Sequence, residues 1–361
     1  MHRVDVVIVG GGPAGLSALP PVAAAGRKVV LLEARHRVGG RLCGSSHDGT
    51  AGFDVGASWF WSNERRMRSA VATLGLGSFP QPGAKAVALV QDRTGRVQRL
   101  AGNPMGTGGN RLVGGMPALA AALRQQCDSD SIHLGQPVCS ILPDPQSSNL
   151  VVRTSNNECS WVAPAVILAV PPALAVATID FGTGLEPVVD RVARSTPVWF
   201  GGMVKVVAHF QAPFWRTSGL AGDARSQCGP LSQVFDLSGE SGEPAALFGF
   251  CQPLPGKPAP TSAAITAQLV TLFGKEAEAP LKIVVQDWRR EPFTSPKGVE
   301  RLSDYSTFGH AVWQSPALGG RLHWASTETA EECPGHVEGA LAAAERAVAA
   351  VLRQGGLRDH R

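Results

Sequence analysis

This 361-residue chain has no C-x-x-C pair, and its seven cysteines, at 43, 127, 139, 159, 228, 251 and 333, are odd in number and scattered. A disulfide framework or a zinc site does not fit that pattern, whereas a reducing, cytoplasmic setting does. Long apolar runs are also missing. The longest, 162–179, is interrupted by Pro164, Pro171 and Pro172, so it reads as a buried strand and a turn rather than a membrane span. Excess charge is small, +4 from 33 basic and 29 acidic side chains. With no basic run and no aromatic stacking module, nucleic acid is not an expected partner. No signal segment is expected, because an apolar strand begins by Val4, and the residues after Gly355 are polar, with no hydrophobic anchor. His209, His310 and His323 lack metal-ligand spacing, so no metal is expected. There are no internal repeats and no local Ser-His-Asp motif.

What is present is an ordinary globular composition, 44% hydrophobic and 17% charged, at a length that suggests two domains. The apolar stretch Val4-Asp5-Val6-Val7-Ile8-Val9 runs straight into Gly10-Gly11-Gly12-Pro13-Ala14-Gly15, a G-x-G-x-x-G segment. Gly10 permits the tight turn, Gly12 lets the backbone approach a pyrophosphate, and Gly15 allows close packing of helix on strand. The helix that follows aims free N–H groups at the phosphates. A second strand, 28–32, ends in Glu33, which lies 18 residues past Gly15, near the roughly 20-residue offset of an acid that holds a ribose hydroxyl. Gly39 and Gly40 then expose bare amides, and Arg41 supplies a fork of donors for phosphate oxygens. Arg35 and Arg37, unlike Arg41, read as a solvated basic loop.

Along the rest of the chain, Pro20 and Pro21 predict a kink or short break in the first helix. Residues 51–60 alternate and then turn. A hairpin is expected at 85–100 around Asp92-Arg93-Thr94-Gly95, and a helix at 116–126. Strands follow near 132–134, 138–142, 150–154, 159–162 and 165–170, then at 203–210, 245–251 and 281–285. A proline-rich loop spans 253–262 and a helix 263–273; the chain closes with a strand near 321–325 and an Ala-rich helix over 337–352.

The extension from Glu33 through Ala34, Arg35, Gly39, Gly40 and Arg41 resembles the LEAxxRxGGR segment of flavoproteins in the amine oxidase group, and further motifs follow in the same order. Asp54-Val55-Gly56-Ala57-Ser58-Trp59 is similar to D-x-G-x-x-W/Y. Val113-Gly114-Gly115-Met116 resembles a V-G-G-x helix start, and Gln136-Pro137-Val138 a strand whose Val lies at the FAD adenine. Ala169-Val170-Pro171-Pro172 is similar to AxPP, and Met203-Val204-Lys205 with Ala212-Pro213-Phe214-Trp215 to M-x-K…PFW. The segment Trp324-Ala325-Ser326-Thr327-Glu328-Thr329-Ala330 resembles FAGTETA, and Gly335-His336-Val337-Glu338-Gly339-Ala340 resembles GYMEGA. Nearly the whole chain thus resembles the flavin-containing monoamine oxidase family.

That resemblance implies an α/β fold, a Rossmann-like FAD-binding domain with a β-rich substrate domain inserted, as in p-hydroxybenzoate hydroxylase. The expected division is 1–60, 111–165 and 315–361 for FAD, and 61–110 and 166–314 for substrate. It implies noncovalent FAD, because 289–298 contains no cysteine where some members attach the flavin. It implies oxidation of an amine to an imine, with O2 as acceptor and H2O2 released. Lys205 is the expected catalytic lysine, holding a water at the flavin N5; a lysine on a solvent-facing side of its strand is the alternative. Glu328 is expected at the ribityl or phosphate side, or as a plain helix-start carboxylate. Trp59, Trp61 and Trp288 wall the pocket or simply pack. Three departures bear on substrate. Ser326 replaces a glycine. His336 stands where the family places a cage tyrosine, to orient substrate, carry a proton or merely pack, and the one tyrosine, Tyr305, belongs to none of these motifs. About fifty residues separate Trp59 from Val113, where the family carries a longer helical cover; a more open site, or one closed by a second subunit in a homodimer, follows. Another oxidase or desaturase on this fold, renalase-like or protoporphyrinogen-oxidase-like, and a catalytically weak flavin-binding accessory subunit are the competing readings.

Overall fold

The computed structural model describes residues 1–45, 52–156, 160–251 and 258–356, the last two without their side chains. Ala51, Cys159, the first part of the proline-rich loop and the tail beyond Gly356 lie outside the described residues.

Strands Val6–Val9, Val29–Leu32 and Ala165–Leu168 are short runs of β-branched and aliphatic residues buried at every position. Burial on both faces favours a parallel sheet covered on each side. They form its centre: the five-stranded parallel sheet runs Leu322–Trp324, Ala165–Leu168, Val6–Val9, Val29–Leu32, Ile132–His133. Alternation then divides the core. Val6, Ile8, Leu31 and Ile167 pack under helices Pro13–Ala24, Met116–Gln125 and Val337–Gly356. Val7, Val9, Val30 and Leu168 pack on the opposite side with Ile141, Val152 and Trp161, from the antiparallel strands Val138–Pro143, Leu150–Thr154 and Ser160–Ala163.

The second body is a seven-stranded sheet in the order Lys282–Asp287, Val204–Phe210, Ala245–Cys251, Leu231–Asp236, Leu220–Ser226, Val87–Gln91, Val97–Leu100. Val204, Val206 and Ala208 face helix Ser262–Phe273 through Ile265, Leu269 and Leu272. Val207, Phe235, Phe248 and Phe250 line the other face.

Four expectations need correction. Pro20 and Pro21 do not break the first helix, which is continuous from Pro13 to Ala24. Proline at 20 removes the donor for the Leu16 carbonyl; that oxygen instead accepts from the buried Cys127 thiol at 3.5 Å. Residues 52–60 form isolated bridges, Gly44 with Asp54 and Phe60 with Asn110, not a strand. A division at 165/166 cuts through the strand Ala165–Leu168, which belongs wholly to the parallel sheet. Likewise helix Arg65–Thr73, expected on the substrate side, buries Met67 and Val71 in the core of the parallel-sheet body.

Candidate active site

A cavity of about 520 Å³ runs from the Gly10–Gly15 turn to the aromatic face of the seven-stranded sheet. Its first half is built by the strand-to-helix turn. Gly10 has φ of +103°, the left-handed region that favours glycine, and a Cβ there would sit 2.9 Å from the Ala169 carbonyl. A Cβ at Gly15 would overlap the Gly10 carbonyl oxygen, so helix and strand approach too closely for a side chain. At Gly12 the same test meets no atom within 4 Å: the backbone is bare toward the cavity. Glu33 is buried at the end of its strand, where its carboxylate accepts from the Gly11 N–H at 2.7 Å and the Arg35 N–H at 2.8 Å. Opposite lies the start of helix Val337–Gly356. Gly335, with φ of +89°, allows the Trp199 ring to lie where a side chain would stand. Ser326 is buried on the cavity wall, and among the described residues its hydroxyl has no hydrogen-bond partner. A bare backbone cradle, two helix N-termini and an orphaned buried hydroxyl suit a ligand with phosphate and hydroxyl oxygens.

Where the two bodies meet stands Lys205. Strand alternation puts it on the aromatic face with Val207, beside its paired neighbour Phe250. The side chain is 1% exposed, so it does not face solvent. Its Nζ donates to the Gly56 carbonyl at 2.9 Å and to Ser58 Oγ at 2.6 Å, and lies 4.2 Å from the centre of the Phe248 ring. An ammonium has three N–H groups; among the described residues the third has no acceptor, and Lys205 borders the cavity. Burial lowers the lysine well below its ordinary range, and Arg111 pushes it the same way, while the Asp54 charge opposes both. Asp54 is itself raised by burial and accepts from the Met116 N–H at 2.7 Å.

His336 borders the cavity between two tryptophans, its ring centre 4.9 Å from that of Trp61 and 6.0 Å from that of Trp199. Its Nδ1 lies 2.6 Å from Oε1 of Glu64, a carboxylate 2% exposed whose Oε2 accepts from the Trp61 N–H at 2.9 Å. With Nδ1 engaged, Nε2 is the nitrogen left for a ligand.

Of the residues expected from sequence, Gly10, Gly12, Pro13, Ala14, Glu33, Arg35, Gly40, Arg41, Gly56, Ala57, Ser58, Trp59, Lys205, Trp288, Ser326, Thr327, Gly335, His336 and Val337 all border the one cavity. Gly15, Ala34, Gly39, Val138 and Glu328 do not. Glu328 is fully buried and grips Arg41 at 2.7 Å and the Trp199 N–H at 3.1 Å, so it acts on the cavity through Arg41. Arg35 is not a solvated loop residue: it donates to Glu291 at 2.9 Å and Thr294 at 2.8 Å. Trp59 and Trp288 donate their indole N–H groups to Gln81 Oε1 and the Val55 carbonyl. Sequence reasoning missed Glu64, Trp199, Phe200, Gln233 and Arg225. Glu64 carries no motif; Trp199 and Phe200 directly precede Gly201-Gly202, a signal of close packing that could have drawn notice.

Comparison with known proteins agrees with this geometry. The family described as flavin containing amine oxidoreductase matches residues 99–352, and an NAD(P)-binding Rossmann-like domain matches 8–74. AofH of Mycobacterium tuberculosis, which carries a flavin-containing monoamine oxidase designation, is 32% identical over 262 residues, 71% of this chain and 55% of its own length. Flavin-containing amine oxidase B of Sus scrofa is 28% identical over 68% of this chain and 48% of its own. The chain spans about half the length of these two relatives. Putrescine oxidase of Kocuria rosea is 24% identical across 98% of this chain and 96% of its own. A solved structure of putrescine oxidase bound to putrescine superposes with a TM-score of 0.81 at 21% identity, covering 97% of this chain and 99% of that one. Cyclohexylamine oxidase from Brevibacterium oxydans gives 0.81 at 19%, covering 98% and 99%. Sequence motifs, fold and family match coincide, and the chain belongs to the flavin-containing amine oxidoreductase family.

Proposed function

We propose that this protein is an amine oxidase that holds FAD noncovalently and passes electrons from an amine to O2. The observation that carries the reading is the Lys205 ammonium, buried at the junction of the dinucleotide groove and the aromatic sheet face with one N–H unspent. FAD fits the groove by its donor set: the bare Gly12 backbone and the start of helix Pro13–Ala24 for the diphosphate, Glu33 for the adenosine ribose, Arg41 and the orphaned Ser326 hydroxyl for the remaining oxygens. Thr327, Gly335 and Val337, which border the cavity, are assigned to the flavin end. The absence of cysteine from 289–298 supports noncovalent attachment.

Bound FAD would supply two-electron chemistry, taking a hydride from the carbon beside the amine nitrogen and delivering the electrons to O2 as H2O2. The imine left behind is hydrolysed by water to a carbonyl compound and an amine or ammonia. The chain's own residues orient and exclude water. Trp59, Phe235 and Phe250 form an apolar wall that disfavours the charged ammonium form of an amine, so the lone pair is free for reaction. Trp61, His336 and Trp199 present ring faces and one imidazole nitrogen to the incoming substrate. The spare Lys205 N–H holds a water and stabilises negative charge developing on oxygen. Glu328, through Arg41, fixes the cationic side of the groove. Free thiols at the six described cysteines are consistent with a reducing cytoplasmic location.

An anaerobic screen of amines against the purified yellow protein tests the reading. At least one amine is expected to bleach the flavin absorbance, with peroxide appearing in equal amount when air is admitted. A flavin that no amine bleaches, yet dithionite does, would refute it.

A further inference from the structure

The seven-stranded sheet carries one row of directly paired residues across its cavity face. Lys205 pairs with Phe250, Phe250 with Gln233, and Gln233 with Arg225. Laterally paired residues share a face, and all four border the cavity. Neighbouring strands lie about 4.8 Å apart, so three steps put Arg225 roughly 14 Å from Lys205 along the floor. The row thus leads from the reacting end, over an apolar ring, to an amide and then a guanidinium.

Arg225 differs from the other arginines bordering this cavity. Arg35 is held by Glu291 and Arg41 by Glu328. Arg225 is exposed, and among the described residues its guanidinium makes no hydrogen bond or ion pair. Glu33, at the far end of the groove, is the one carboxylate among the described residues that border the cavity. Among the described residues that border the cavity, the outer end of the floor therefore offers a positive fork and an amide with no carboxylate beside them. A guanidinium so placed matches a carboxylate through two parallel hydrogen bonds and repels a second ammonium.

We propose that the substrate is an amine with an anionic tail, a carboxylate in the simplest case, bound by Arg225 and Gln233 while its C–N bond lies at the Lys205 end. This deepens the amine-oxidising reading and rests on it. It sets this site apart from one made for a diamine, whose second cation would meet Arg225.

Calorimetric titration of the FAD-loaded protein tests it, with three matched aliphatic sets from six to ten carbons: alkylamines, α,ω-diamines and ω-amino acids. At the best length the ω-amino acid is expected to bind about tenfold tighter than the alkylamine, as one charge-assisted contact allows, and the diamine more weakly than either. Arg225→Gln is expected to erase the preference and Arg225→Glu to reverse it in favour of the diamine. Arg225 is exposed, so neither change disturbs the core. Equal affinity for the three sets at every length, or an unaltered order in Arg225→Glu, overturns the proposal. Anaerobic flavin absorbance read on the same samples separates the two claims. Tight ω-amino acid binding that responds to Arg225 but leaves the flavin oxidised supports the anion site and overturns amine oxidation. Bleaching by alkylamines with no preference for the acids does the reverse.

Discussion

Lys205 owes its position to strand alternation and its chemistry to burial, and the two are separable by substitution. Methionine matches its length and keeps the apolar contacts with Phe248 but has neither charge nor donors. Lys205→Met should fold, retain FAD, and slow reoxidation by O2 about tenfold or more while flavin reduction by dithionite is unchanged; stopped-flow traces of the two half-reactions decide it. Because burial lowers the lysine, the wild-type reoxidation rate should fall as pH rises through that lowered value, and the variant should show no such step. Glu33→Ala removes the groove's anionic acceptor and should raise the FAD dissociation constant about tenfold or more, read by dilution and dialysis. His336→Tyr, the residue the family usually carries there, would leave Oε1 of the buried Glu64 carboxylate without its imidazole partner at 2.6 Å, while Oε2 keeps the Trp61 N–H. Such an orphaned group costs roughly 1–3 kcal/mol, so the variant's thermal midpoint should drop, and Glu64→Leu added to it should restore part of the loss. An unchanged midpoint would mean the Glu64 contact contributes nothing. Residues within runs of motif, such as Glu33, Ser58 and Lys205, were legible in the sequence; Glu64 and Arg225 were not, because their roles arise from partners far along the chain.

At the scale of elements, periodicity made the parallel strands and the Ala-rich closing helix plain, since each is a run of one residue class. Strands Leu220–Ser226 and Leu231–Asp236 escaped, and the reason is chemical. Gly222, Asp223, Ser232 and Gln233 interrupt any apolar alternation, yet these strands are held inside the sheet by neighbours on both sides. Asp223 bears the consequence. It is wholly buried, with one oxygen accepting from Asn103 Nδ2 at 2.8 Å and the other without a hydrogen-bond partner among the described residues. Burial pushes its carboxyl up to about 7, and the nearby Asp236 charge adds to the rise. In the unfolded chain the same group titrates near about 4. Between those values the folded protein binds the extra proton, so this group's contribution to stability falls as pH rises from about 4 to about 7. Asp223→Asn should remove that slope and raise stability at pH 7.5 relative to wild type, with little difference at pH 4.5. Urea unfolding at both pH values measures it, and an equal difference at both would mean Asp223 is not the titrating group.

For the whole molecule, the architecture followed from motif order, whereas the division between the bodies did not: helix Arg65–Thr73 and the full strand Ala165–Leu168 joined the cofactor side through packing that no local pattern announces. If FAD is held without a covalent bond, acid precipitation should leave the protein colourless and the supernatant yellow, and colour retained in the pellet would contradict it. Adding FAD back to the refolded apoprotein should raise its thermal midpoint in a concentration-dependent way, as any ligand of the native state does. The groove also has a history within each molecule. One wall comes from residues 10–41 and the facing wall from residues 326–340, and the strand that brings the second wall into place, Leu322–Trp324, pairs last in chain order. At roughly 5–20 residues per second, the first wall emerges from a ribosome many seconds before the second exists. A nascent chain that has not yet reached the Leu322–Trp324 strand presents half a binding site, so the groove can close on a ligand only after that strand has paired, whatever the first wall has already built.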